Sequence, residues 1–283
     1  MNLISDNGTL KKYVPNTLKE VAGETPLFDK IRYHLQQSEQ WLADTFTSSD
    51  TLARIATYTS SNPLLHHCRM ATAAHAMLLA IPQLDLILTP NGFGIVSNQN
   101  IALASKERIE RLLLSLEKLR DDALQIILSM LPTAHHWTAS HQYEYFAATM
   151  FPCLDTIHHL GFTDHIWQHY QEVHAQLLTI EQRLETEYFS RPLMDTLRTA
   201  NILSAWDTIT FPDWYHRIFH RIFAIEFSIL RTGEYPIPSI IDTVNFIHTS
   251  HSNVFREWKT SDTAKLFENH GYKNKKESGG YFF

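Results

Sequence analysis

Histidine is the residue with which this chain could most readily do chemistry, for it has seventeen of them in 283 residues. His165/His169 and His216/His220 are four residues apart, the spacing that puts two imidazoles on one helix face as metal ligands. A third ligand close by would sharpen that pattern, but there is no His-Glu-x-x-His, no Cys-x-x-Cys and no Glu followed three residues later by His, as in di-iron helix bundles. His66-His67, His135-His136 and His158-His159 are adjacent pairs whose rings leave a helix on different faces. The histidines therefore read as interfacial or surface residues, and neither a metal nor any other cofactor is predicted.

Other chemistry is equally thin. A Gly-x-Ser-x-Gly elbow and a phosphate-cradling loop are both missing, and Gly92-Phe93-Gly94 lacks the third glycine of a dinucleotide site. Asp121-Asp122, Glu181, Glu185 and Glu187 fall among the solvating positions of amphipathic helices, where a charged outer face is the simpler reading than an acid/base pair. Cys68 and Cys153 stand alone, as small buried thiols do in a reducing compartment. The expectation is a protein with no catalytic residues.

The elements that would position any site are helices. Only Gly92, Gly94, Gly161 and Gly233 lie between residues 24 and 270, which suits long uninterrupted helices, while 44% hydrophobic content supplies a core. The pattern Phe28, Ile31, Leu35, Glu39, Gln40, Leu42, Phe46 returns 142 residues later as Tyr170, Val173, Leu177, Glu181, Gln182, Leu184, Tyr188. The spacing predicts an all-α chain in which a three-helix unit is used twice. In the first unit, Thr25-Pro26 would cap the first helix, Asn62-Pro63 would open a second that Pro82 stops, and a third would run from Ser105 to Leu131. In the second, the helices would start near residue 166, near Pro212, and at Ser239 to end at Trp258. The Pro212 helix, with isoleucines on one face and Phe219, Phe223 and Phe227 beside them, is expected to be a core helix.

Four segments follow: residues 1–131, the first unit with an N-terminal arm; 132–164, short connecting helices; 165–260, the second unit; and 261–283, an extended tail. Residues 84–98 interrupt the first unit. Leu84, Leu86 and Leu88 alternate into a Pro90-Asn91-Gly92 turn and a short return, a β-hairpin pattern. Because the units differ at this hairpin and at the chain ends, the residues predicted to touch partners are Leu86, Leu88, Pro90, Asn91, Phe93 and Ile95, with Tyr281, Phe282 and Phe283 at the C-terminus.

The formal charge of −6 and the scattered Lys and Arg leave no basic stripe for phosphates, so sequence-specific nucleic-acid binding is not expected. No run approaches a membrane span, and the start has no signal-peptide pattern, so the protein should be made in the cytoplasm.

Leu3-Ile4-Ser5-Asp6, Leu10 to Pro15, Ser38 to Leu42, and above all Leu84 to Asn98 running into Ala104 to Glu110 carry a family likeness. In these segments the chain resembles uncharacterised structural proteins of Bacteroidales phages and prophages, which look like relatives of helical head-tail connector (adaptor) proteins. It departs where relatives often carry a Leu-Gly turn after the first helix, having Asp44 to Ser49 instead. The resemblance implies a virion protein of the neck, present in host cytoplasm during assembly. It would form a ring of its own copies between the portal and the tail or neck proteins. A tail-completion or tail-terminator role, a bacterial helical adaptor, and a histidine-dependent metal hydrolase are the alternatives.

Overall fold

The structure is a computed structural model that describes residues 3–14, 25–84, 86–89, 92–95, 105–134, 136–203 and 212–268. These form two compact units, residues 1–175 and 176–283, and the boundary falls within one helix.

The first unit begins with a short arm. Asp6 caps α1 (Asn7–Lys11) by accepting the Thr9 amide at 2.8 Å. Three long helices follow: α2 (Leu27–Leu42), α4 (Pro63–Leu84) and α5 (Lys106–Met130), with the short α3 (Ser49–Ile55) between the first two. α4 packs against both α2 and α5. Its alanines at 71, 73, 74, 76 and 80 are all buried, which lets the neighbouring backbones approach closely. Asn62 accepts the Leu65 amide at 3.2 Å and so opens α4. Two 3-10 turns, Leu131–Thr133 and Trp137–Ala139, lead to α6 (His141–Ala147) and α7 (Thr156–His159).

The helix α8 (Ile166–Leu184) crosses the unit boundary. The second unit continues with α9 (Arg191–Ile202), α10 (Asp213–Thr232), α11 (Ile237–Thr249), α12 (Arg256–Lys259) and α13 (Asp262–Lys265). Gly233, at φ 72°, ends α10 in the left-handed conformation that glycine adopts without penalty. Apart from the helices, Leu86–Thr89 and Gly92–Ile95 pair antiparallel, with Leu86 opposite Ile95 and Thr89 opposite Gly92.

Several expectations need correction. The order is not three helices and three more: α3 and α9 follow the first helix of each set, being only two to three turns long with apolar spacing at Leu52/Ile55 and Leu193/Leu197. Pro82 does not stop α4, which continues to Leu84 because a proline near a helix end sacrifices one backbone bond and only the last turn depends on it. Pro26, not Thr25, is the N-cap of α2. The helix from residue 237 ends at Thr249, since Ser250 is extended and Phe255 takes a positive φ of 53° before α12. The residues from 261 are not all extended, because α13 lies there. α10 buries Ile218, Ile222, Ile225, Glu226 and Ile229, while Phe219, Phe223 and Phe227 are half-buried and Trp214 is 38% exposed.

Candidate functional site

The most distinctive local geometry is a corner that occurs once in each set of helices. α2 widens into a π-helical turn, Ala43–Thr47, then bends at Ser48 into α3. α8 does the same through Glu185–Phe189 and bends at Ser190 into α9. The two bends are 142 residues apart, like the sequence pattern that precedes them. Ser48 (φ 71°, ψ 154°) and Ser190 (φ 63°, ψ 144°) both occupy a region of backbone space that essentially belongs to glycine, so each corner stores strain.

In each unit a later segment donates to carbonyls of the π turn, of which that of Ala43 also accepts the Ser48 amide at 2.8 Å. Trp137 Nε1 donates to the Phe46 carbonyl at 2.7 Å, and Gln142 Nε2 donates to the carbonyls of Ala43 and Asp44 at 3.2 and 2.9 Å. In the second unit Trp258 Nε1 donates to the Tyr188 carbonyl at 2.7 Å, and Thr263 Oγ1 to that of Glu185 at 3.3 Å. Each tryptophan's own carbonyl accepts from the serine three residues on, Ser140 or Ser261, at 2.6 Å, and that serine caps the next short helix. Tryptophan suits this role because one buried ring fills space while its single N–H satisfies a carbonyl. Both indoles are 1% exposed. The Trp-x-x-Ser signal is visible in the sequence, but it repeats at 121 residues rather than 142 and so escapes a search at one period.

The corner glutamates, Glu39 and Glu181, are both buried, so Glu181 is not the solvating residue its sequence position suggested. Glu39 Oε1 accepts the Leu3 amide at 2.5 Å. Burial pushes its carboxyl above the ordinary range, and the amides of Leu3 and Ile4 pull it back. Glu181 instead meets Arg198 of α9, whose Nε donates to it at 2.7 Å and whose Nη1 reaches Asp195 at 2.9 Å. Arg198 also pairs with Glu185. Burial opposes the guanidinium charge, yet Glu181 and Glu185 hold it protonated beyond its ordinary range. Beside this group sits Glu226 of α10, completely buried, with neither carboxyl oxygen hydrogen-bonded among the described residues. Burial first, then the charge of Glu181, raises its pKa well above that of an ordinary glutamate.

Asp121 was also expected on an outer face and is buried. It accepts the Trp167 amide at 3.2 Å, capping α8, and Arg120 at 2.8 Å. Sequence reasoning missed it because a single apolar period does not show which carboxylates find amide donors. His75 stacks on Trp41 at 3.9 Å and meets Ser38 Oγ at 3.1 Å, and burial together with Arg120 pushes it down to about 4. Ser38 is fully buried, so this pair ties α2 to α4 rather than offering a nucleophile and base to a substrate.

The paired histidines part company. His165 has a φ of 50° and precedes α8, where it meets Glu117 at 2.7 Å, while His169 stacks on Phe162 at 3.9 Å. His216 and His220 do share one face of α10, with ring centroids 6.4 Å apart. Among the described residues no three His, Cys, Asp or Glu side chains are grouped to hold a metal ion. The thiol of Cys68 is pushed up to about 12 by burial. A groove of about 490 Å³ lies between α10 and α11, crossed by the Arg221–Asp242 pair at 2.6 Å. No described helix is long and apolar enough to cross a membrane.

Of the residues predicted to touch partners, Leu86, Leu88, Phe93 and Ile95 lie on the two paired strands. Pro90, Asn91, Tyr281, Phe282 and Phe283 lie outside the described residues.

Residues 16–147 match a protein family whose description is "Family of unknown function (DUF6712)". The matched stretch includes the first corner, Ala43–Ser48, and Trp137 and Gln142, which satisfy it. No curated protein and no solved structure matches the chain.

Proposed function

We propose that this chain is a non-enzymatic structural protein of a tailed phage, a head-tail connector (adaptor) subunit that forms a ring between portal and tail. The observation that supports this reading is the twin corner. In both units, conspicuous buried polar chemistry, an indole N–H and a capping serine, is used to hold a bend in the backbone. Such an investment suits a scaffold whose shape is its activity. The equal spacing of Ser48 and Ser190, and their shared backbone geometry, favour an internal duplication in which residues 166–268 are a diverged copy of the corner-bearing helices of the first unit. The paired strands Leu86–Thr89 and Gly92–Ile95 have no counterpart described in the second unit, and we assign them as an insertion that meets a neighbour in the ring.

Electron microscopy of the purified protein and of the virion tests the proposal. A ring at the neck is expected, and a particle lacking the protein at any ring or neck layer would overturn it. Capture by tail-tube protein but not by portal would move the assignment to a tail-completion or tail-terminator role.

A further inference from the structure

The second corner is built with charge where the first is built without it. At the 142-residue spacing, Glu185 stands where the first corner has Ala43, and Arg198 where it has Ala56. The long helix that follows differs in the same way: α4 contains no aspartate or glutamate, whereas α10 carries Glu226 into the core. The result is a buried group of three glutamates around one guanidinium. Arg198 Nη2 meets Glu181 at 2.6 Å and also pairs with Glu185, the first residue of the π turn, while its Nη1 reaches the more exposed Asp195. Glu226 is the odd member, completely buried and without a hydrogen bond on either oxygen among the described residues. A carboxyl so placed is tolerated as the neutral acid. With Glu181 and Glu185 ionised, Arg198 balances only one of them, so loss of the Glu226 proton creates a second uncompensated anion in the interior. Glu39, the buried glutamate of the first corner, differs because the Leu3 and Ile4 amides receive its charge.

We propose that Glu226 is a proton-operated latch on the second corner. While it holds its proton, Arg198 stays on Glu181 and Glu185 and ties α9 to the π turn. When the proton passes to water, the new carboxylate draws Arg198 away from Glu185 and the bend at Ser190 loosens. The bend is the part that yields because Ser190 holds a backbone conformation disfavoured for a residue with a Cβ, so the loss of one tie shifts it. The groups whose charge reaches Glu226 are Glu181, Glu185 and Arg198. Other titratable groups on and around α10 are engaged elsewhere: Asp242 of α11 pairs with Arg221, Glu257 accepts the Tyr215 hydroxyl, and the His248 ring lies 6.2 Å from that of Trp258. The latch needs no partner, so it stands or falls apart from the ring reading.

Hydrogen exchange of the full-length protein tests the latch, read by mass spectrometry from about pH 6 to about pH 9.5 and corrected for the intrinsic rate at each pH. One proton released per opening predicts that amides of residues 185–198 lose protection about tenfold per pH unit until the closed state itself titrates, and level off above that point. Amides of residues 43–56 and of α11 should hold level over the same range. A fall shared equally by α11 would mean that the whole unit opens, and the absence of a fall at 185–198 would mean that no proton is linked to the corner. Either result overturns the latch, and both are read in the parent protein alone. Glu226→Gln, which keeps the shape of the neutral acid, should abolish the slope, and a slope that survives it overturns the assignment to Glu226. Glu185→Gln removes the tie directly, so at the acid end of the range it should show the low protection that the parent reaches only at the alkaline end. Full protection in that variant would overturn the role given to the Arg198–Glu185 contact.

Discussion

Replacing Ser190 by glycine should make the protein more stable, although serine-to-glycine changes usually do the reverse. The backbone at 190, φ 63° and ψ 144°, costs a residue with a Cβ on the order of 1–3 kcal/mol. Ser190 Oγ is buried without a hydrogen-bond partner among the described residues, and removing such a hydroxyl recovers about 1 kcal/mol or more of desolvation. Against this stands the extra freedom glycine has in the unfolded chain, roughly 0.5–1 kcal/mol. The net is a gain of about 1–3 kcal/mol, seen as a rise in denaturation midpoint at unchanged slope. Ser48→Gly is the control. Its backbone carries the same strain, but Ser48 Oγ accepts the Thr51 amide at 3.2 Å and donates to Thr51 Oγ1 at 3.0 Å, so the gain is offset by lost capping. Ser190→Gly should therefore exceed Ser48→Gly by about 1 kcal/mol or more. The assay is urea denaturation followed by far-ultraviolet circular dichroism. A Ser190→Gly protein less stable than the parent would refute the strain argument, and equal gains at both sites would refute the role given to the hydroxyls.

Other outcomes follow from the same contacts. Trp137→Phe and Trp258→Phe each strand one corner carbonyl and should each cost about 1–3 kcal/mol, measured by the same denaturation. Arg198→Met leaves Glu181 and Glu185 without their buried cation and should cost about 3–5 kcal/mol, with part of the loss returned by adding Glu181→Met. Glu226 has a raised folded-state pKa, so its favourable contribution is complete below the ordinary glutamate range and is lost as pH rises through the raised value. Glu226→Gln should accordingly flatten the alkaline fall in stability while leaving the acid side unchanged. If the parent and the variant lose stability in parallel on the alkaline side, Glu226 is not the group that titrates.

Much of the frame was legible in the residues, and the reasons the rest was not are physical. Asn62 and Pro212 mark helix starts because capping and proline geometry are local, and α4 and α10 begin where those residues put them. The corners escaped because a π turn has no composition of its own, and because the bends use serine where glycine would have announced them. α3, with seven residues, is too short for a period to stand out. Glu181 and Asp121 look like surface carboxylates until their partners are known, and those partners, Arg198 and the Trp167 amide, come from other helices. The strand pairing covers Leu86–Thr89 and Gly92–Ile95, but Leu84, the first residue of the expected alternation, ends α4 instead, and the C-terminal aromatics lie outside the described residues.

The two clamping indoles have a practical consequence. A tryptophan that is sealed from solvent and donates its N–H to a fixed carbonyl emits at short wavelength, and its emission moves to the red once that bond opens and water enters. Trp137 and Trp258 each sit on the bend of a different unit, so each unit contains its own optical gauge. In variants that retain one or the other of the chain's six tryptophans, the loosening of either bend during unfolding can be timed without attaching a dye.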